Sequence, residues 1–171
     1  MPCIVGLVHK EKVIIGGDSA GSNGYDVVIR KDPKVFRNGP FVIGCTSSFR
    51  MIQILQFGFK PPKVKGDLYE YMCTKFIDAV RESFEDGGFM QKAAEGDERG
   101  GSFLVGVNGR LFNIGPDFQV GEPLDGYTAV GCGKYFALGS LHSTVGFAPK
   151  NRIKTALQSA EKFSTGVAGP F

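Results

Sequence analysis

The sequence predicts an α+β fold in which two mostly antiparallel sheets pack face to face and a pair of helices covers each, a four-layer αββα sandwich. Two observations carry this. Short apolar runs of strand type and longer stripes of helical spacing come in separate blocks, in the order strands, two helices, strands, two helices. Segregated blocks favour α+β layering over a parallel sheet wound with helices. The second is size and composition: 171 residues, 42% hydrophobic and 22% charged, are ordinary for one soluble globular domain spanning residues 1–171. A chain of this length buries roughly two thirds of its unfolded surface, enough for a core without disulfide or metal.

The elements follow in order. Residues 4–8 and 13–15 are β-branched runs separated by the polar stretch His9, Lys10, Glu11, Lys12, the pattern of a hairpin. Glycines cluster in GGDSAGSNG (16–24), where the chain bends or meets another backbone closely. Residues 27–29 make a further short strand. Residues 34–36 and 41–46 pair around Asn38, Gly39 and Pro40. Ser47 or Ser48 then caps a helix carrying Met51, Ile52, Leu55 and Phe59, ended by Pro61 and Pro62. Asp67, with Glu70 three residues on, opens a second helix whose stripe is Leu68, Met72, Phe76, Val80 and Phe84, and Gly87-Gly88 stops it. Residues 89–101 are polar and read as a mobile loop. Asn108-Gly109 between the apolar runs 102–107 and 110–114 is a strong hairpin signal. One more strand at 127–131 precedes helices near 135–143 and 151–163.

Several function classes recede on composition. Net charge is only +3, and the basic stretches 30–34 and 60–65 are broken by Asp32 and by prolines, so nucleic acid is not expected as a partner. The cysteines Cys3, Cys45, Cys73 and Cys132 lack two-residue spacing, and only His9 and His142 could join them, so no metal is expected. The glycine-rich 16–24 stretch lacks the lysine and following Ser or Thr of a phosphate loop, so neither nucleotide nor other cofactor is expected. No apolar run reaches membrane-spanning length and no leader pattern opens the chain. Thiols without a secretion signal point to a reducing, cytoplasmic setting.

Three features stand at equal spacing: Pro2 before the first strand, Asp18 in GGDS sixteen residues later, and Lys34 sixteen after that. GCTSS (44–48) runs from a strand end into a helix. AVGCG (129–133) leads into Tyr135 and Ala137. Together these resemble the N-terminal nucleophile (Ntn) hydrolases of proteasome β-subunit type, most closely the bacterial HslV-type peptidase subunits, and the likeness covers nearly the whole chain. In such a site a terminal hydroxyl or thiol attacks a carbonyl while its own α-amino group, titrating near neutrality, takes the proton. A lysine lowers the nucleophile's pKa, an aspartate orients the lysine, and backbone N–H groups hold the oxyanion. The resemblance implies that Lys34 is the activator, Asp18 its partner and the Ser47 N–H the oxyanion donor. It implies self-association into a ring or stacked rings and a peptide or other amide substrate, with any unfoldase partner undetermined.

The nucleophile departs from that pattern. Pro2 stands where the family has threonine, and it carries neither hydroxyl nor thiol. Cys3 is one residue out of step, and alternation along a strand points it away from Lys34. Cys132 stands where the family has a helper serine. GVAGPF near the end lacks an acidic residue that often belongs to that region. With Met1 retained, the free amine is displaced; with Met1 removed, Pro2 offers a secondary amine as nucleophile or base. Plainer roles exist for each residue: Asp18 as a turn residue, Lys34 as a surface cation, Ser47 as a helix cap, Cys3, Cys45 and Cys73 as small buried hydrophobes. Two functional readings follow. One is an amide hydrolase, retained or degraded; the other is a silent protein keeping the fold for ring assembly or partner binding.

Overall fold

Side-chain alternation along the first strand lays out the architecture. In β1 (Cys3–His9), Cys3, Val5 and Leu7 are buried against one pair of helices, whereas Ile4 is buried with Leu104, Leu111 and Val130 between two sheets. This computed structural model describes residues 2–92, 98–99 and 101–171. β1 is the centre of a three-stranded sheet, between β2 (Lys12–Gly17) and the late strand β12 (Tyr127–Gly131). β3 (Ala20–Ser22) and β4 (Val27–Ile29) form a separate hairpin. A five-stranded sheet runs in the order β11 (Val120–Gly121), β10 (Arg110–Ile114), β9 (Phe103–Val107), β6 (Phe41–Cys45), β5 (Val35–Asn38). Every pairing among the described residues is antiparallel.

The sheets meet on a thin layer of branched side chains: Ile4, Leu104, Leu111 and Val130, with Val8, Val13, Ile15 and Val35 at its margins. Gly44 keeps them close, because a Cβ there would lie 2.6 and 2.7 Å from methyls of Ile4 and Ile15. Over the five-stranded sheet lie α1 (Phe49–Gln53), continuing as a π-helical turn Ile54–Gly58, and a second helix made of α2 (Leu68–Tyr71), a π-helical turn Met72–Phe76 and α3 (Ile77–Asp86). Over the three-stranded sheet lie α4 (Lys134–Ser143) and α5 (Pro149–Phe163). Ser48 and Asp67 are the caps: the Ser48 hydroxyl accepts from Arg50 N at 3.1 Å, and Asp67 Oδ1 accepts from Glu70 N at 2.9 Å. Pro149 begins α5, where its missing N–H costs nothing.

The π turn in the second helix has a cause in the sequence. Leu68, Met72, Phe76, Val80 and Phe84 recur every fourth residue. On an α-helix each step of four rotates about 40° past the previous one. A wider turn at Met72–Phe76 takes up part of that drift, and the last four of these side chains are buried.

Several expectations need correction. The glycine stretch 16–24, expected to bend or meet another backbone closely, also contains a strand that was not expected, β3, paired Ala20↔Ile29 and Ser22↔Val27. β11 carried no β-branched pair and was not expected. The expected loop 89–101 holds two short paired strands, β7 (Gln91–Lys92) and β8 (Glu98–Arg99), while its residues 93–97 and 100 lie outside the described residues. Cys73 is exposed rather than buried, because it falls on the outer side of its helix.

Candidate active site

Asp18 follows the last residue of β2 and Lys34 precedes β5, so the edges of the two sheets bring them together. Cys45 N donates to Lys34 O at 2.9 Å, which holds the lysine backbone against β6. The Lys34 ammonium lies 2.9 Å from Asp18 Oδ1 and donates to Ala20 O at 2.6 Å. Side-chain exposure is 2% for Lys34 and 0% for Asp18, so this pair is out of water. Burial pushes the Lys34 pKa down, and the hydrogen bond and charge of Asp18 oppose that. Backbone amides satisfy the rest of the carboxylate: Oδ1 accepts from Cys3 N at 2.9 Å, and Oδ2 from Ala20 N at 3.0 Å and Ala168 N at 3.4 Å.

Position 2 sits beside this pair. Pro2 is buried, and its carbonyl accepts from Cys132 N at 3.0 Å across the β1–β12 ladder. Gly131 is required there: its φ is +99° and a Cβ would overlap Pro2 O. Period-two alternation places position 2 on the face of Ile4, whose Cδ1 would lie 2.6 Å from a Cβ at Gly17, with Lys34 Cβ 3.8 Å from the same point. Cys3 is on the other face, with its thiol among Val5, Leu7 and the α4–α5 helices. Burial, with help from Asp18 and Cys132 and against the influence of Lys34, raises the Cys3 pKa to about 12. Thiolate is therefore scarce near neutrality and Cys3 is a weak nucleophile where it stands. Cys132 is half-buried, its Sγ 3.1 Å from Ser164 Oγ and 3.7 Å from Pro2 O.

This gives an ordered expectation for thiol chemistry. Iodoacetamide at pH 8 should label exposed Cys73 first and Cys132 more slowly, leaving Cys3 and Cys45 largely unmodified in the folded protein, as read by peptide mass spectrometry. Labelling of Cys3 at the rate of Cys73 would contradict its placement in the core.

The third part is the turn after β6. Ser47 adopts φ +69°, a left-handed conformation that costs a non-glycine residue about 1–3 kcal/mol and persists only when its surroundings enforce it. Here the start of β9 does so: Thr46 N and Oγ1 both donate to Ser102 O, at 3.1 and 2.6 Å, and Ser102 N donates to Ser47 Oγ at 3.3 Å. Ser48 N donates to Thr46 O at 2.8 Å. The Ser47 N–H makes no hydrogen bond to a described residue. Thr46, Ser102, Ser164 and Ala168 were not singled out in the sequence. Each contributes through a partner far along the chain; Thr46 and Ala168 lie inside the quoted stretches GCTSS and GVAGPF, but nothing local there gives their partners.

The assembled groups are a buried ammonium–carboxylate pair joined to residue 2 through the Cys3 N–H, a left-handed turn whose Ser47 N–H has no partner among the described residues, and a thiol–hydroxyl pair on the carbonyl of Pro2. Groups of this kind lower a nucleophile's pKa and stabilise negative charge, but the Pro2 side chain carries neither hydroxyl nor thiol. Among the described residues no group of His, Cys, Asp or Glu side chains could hold a metal ion, and no helix is long and apolar enough to cross a membrane.

By sequence, no family model and no curated protein matches the chain. By structure it is similar to BPH from Thiobacillus denitrificans, solved in complex with epoxomicin, at TM-score 0.81 and 15% identity over 98% of this chain and 94% of that one. It is also similar to eukaryotic HslV from Trypanosoma brucei, at TM-score 0.68 and 18% identity over 97% and 94% of the two chains. A Gly-1 mutant of Anbu from Hyphomicrobium sp. strain MC1 matches at TM-score 0.71 and 18% identity over 99% of this chain and 79% of that one. The fold is therefore the proteasome-type Ntn-hydrolase fold over nearly the whole chain.

Proposed function

We propose that this proteasome-fold protein carries an amide-hydrolase site that lacks its attacking atom, so that as written it assembles or binds rather than cleaves. The observation that carries the reading is the Lys34–Asp18 pair, buried beside a Pro2 that has no hydroxyl or thiol. In this reading Lys34 is the electrostatic activator, Asp18 orients it, and the Ser47 N–H is the oxyanion donor. Cys132, with Ser164, takes the helper position on the carbonyl of residue 2. Cys3 as nucleophile would have to be reached by substrate, which its burial and raised pKa oppose. Hydrolysis of fluorogenic peptide amides by the parent and by Cys3→Ala decides between the two readings. Background rates are expected in both; robust turnover in the parent that disappears in Cys3→Ala would overturn the proposal.

Self-association belongs to the same reading. Tyr135, Phe136 and Phe163 on α4 and α5 are 73%, 42% and 66% exposed, with the two phenylalanine rings 5.4 Å apart. Val145 and Phe147 are exposed as well, in the α4–α5 loop at the other end of the helix pair. Clustered exposed aromatic rings such as Phe136 and Phe163 mark interaction surfaces. The proposed partner is a second copy, in a ring or stacked rings in the cytoplasm. Light scattering at micromolar concentration is expected to give a mass several times that of the 18.4 kDa chain, falling when Phe136 and Phe163 are both changed to Ser. A monomer for the parent would end the ring proposal.

A further inference from the structure

Away from the Lys34–Asp18 pair, α5 and β2 leave a partly open pocket of about 470 Å³. Its floor is aliphatic: Ile14 and Gly16 of β2, with Ile153 and Leu157 of α5. Its third wall is the strap 169–171, including Pro170 and the ring of Phe171. The remaining lining side chains are Lys150 and Lys154, one helical turn apart on α5, so both ammonium groups stand on the same helical face. Neither is in an ion pair with a described residue, and no carboxylate side chain lines the pocket. Glu161, the acidic side chain in contact with this strap, accepts from Gly169 N at 2.8 Å.

We propose that this pocket binds an aliphatic carboxylate, with the alkyl chain on Ile14, Ile153 and Leu157 and the carboxylate between Lys150 and Lys154. The volume falls in the range of small-molecule sites, which are mostly apolar with a few placed polar groups. Apart from the two ammonium groups, the lining side chains offer no hydrogen-bond donor or acceptor. They solvate methylene groups, which suits an alkyl chain. The lysine stems extend the apolar wall while their charged ends meet the anion. The proposal does not depend on the reading of the catalytic site. The two are nonetheless joined by the chain: Ala168, immediately before the strap, donates to Asp18 Oδ2 at 3.4 Å, and Ser19 Oγ donates to Pro170 O at 2.6 Å.

The test is calorimetric titration of the full chain with decanoate, octanoate and decanol below their micelle or solubility limits, with hydrogen exchange on the same samples. Saturable decanoate binding is expected, at least about tenfold tighter than decanol. Octanoate should be weaker by about fifteenfold, since each buried methylene contributes about fourfold. Protection should rise in peptides covering residues 13–17 and 167–171. Lys150→Ala with Lys154→Ala, both exposed positions, should remove the advantage of decanoate over decanol while leaving decanol binding unchanged. Equal binding of decanoate and decanol, no saturable binding, or protection spread over the whole surface overturns the proposal. So does protection of the same peptides that grows with protein concentration in the absence of decanoate, which assigns the pocket to a second copy.

Discussion

Replacing Pro2 by Thr, in a form freed of Met1, is expected to create hydrolysis of small peptide amides where the parent shows only background. The physical reason lies in what already surrounds position 2. The alternation that sends Cys3 into the helix-side core puts the preceding side chain on the face shared with Ile4, and the Cys3 N–H that follows residue 2 donates to the Asp18 Oδ1 that also holds Lys34. The Lys34 ammonium is held by Asp18 Oδ1 and Ala20 O and is destabilised by burial, a state in which it lowers the pKa of an adjacent hydroxyl and favours the neutral form of the terminal amine. The Ser47 N–H has no hydrogen-bond partner among the described residues, in a turn braced by Thr46 and Ser102. Groups that act as a unit lose nearly all their rate when the nucleophile is missing, so restoring it in a prepared site should raise turnover by on the order of 10³ or more. Lys34→Ala in the Pro2→Thr background should return the rate to background with the terminal amine intact. If Pro2→Thr folds, begins with its threonine and stays inactive toward a broad peptide set, the site is not an inherited hydrolase centre.

Lys34→Ala in the parent is expected to cost about 3–5 kcal/mol in urea unfolding, among the largest effects of any single substitution here. The Asp18 carboxyl would be left with 0% side-chain exposure, no counter-charge and only amide donors for company. Removing the other charge as well should recover part of the loss. Asp18→Asn combined with Lys34→Met keeps one acceptor oxygen, for the amides of Ala20 and Ala168, at the loss of the Cys3 N–H bond, and should still be more stable than Lys34→Ala alone. That ordering separates the cost of an unpaired buried charge from the ordinary cost of lost packing. Should Lys34→Ala cost less than about 1 kcal/mol, the pair is solvated in solution and its burial is not a property of the working protein.

The layering was legible because the chain writes it in blocks. β-branched runs at 4–8 and 13–15, the Asn108-Gly109 turn and the stripe from Leu68 to Phe84 each carry a period that admits one element type. β3 escaped because Ala20, Gly21 and Ser22 have no strand propensity of their own; they are extended by pairing with Val27, Val28 and Ile29. The π turns escaped for a related reason: a four-residue repeat still looks helical, and only the three-dimensional core shows how the excess rotation is absorbed. At the site, Asp18 and Lys34 were visible through their common spacing from Pro2. Ser164 and Ala168 were not, since they meet Cys132 and Asp18 across 32 and 150 residues and carry no local signature. Thr46 and Ser102 likewise join over 56 residues.

The hydrogen bond from Ala168 to Asp18 has a consequence for how the molecule comes into being. The carboxylate of residue 18 is finished by a donor 150 positions downstream, and Ser19 is bound to Ala168 and Pro170 in the same place. Contacts of such long separation close late in folding, because the entropy of the intervening loop is lost before they contribute. During synthesis the two sheets can begin to pair before residues 164–171 have left the ribosome, yet the Asp18 carboxylate waits for Ala168. A nascent chain is therefore expected to hold the aspartate and lysine in partly hydrated form, the dry, charge-paired centre arriving with the last turn of α5 and the strap that follows it.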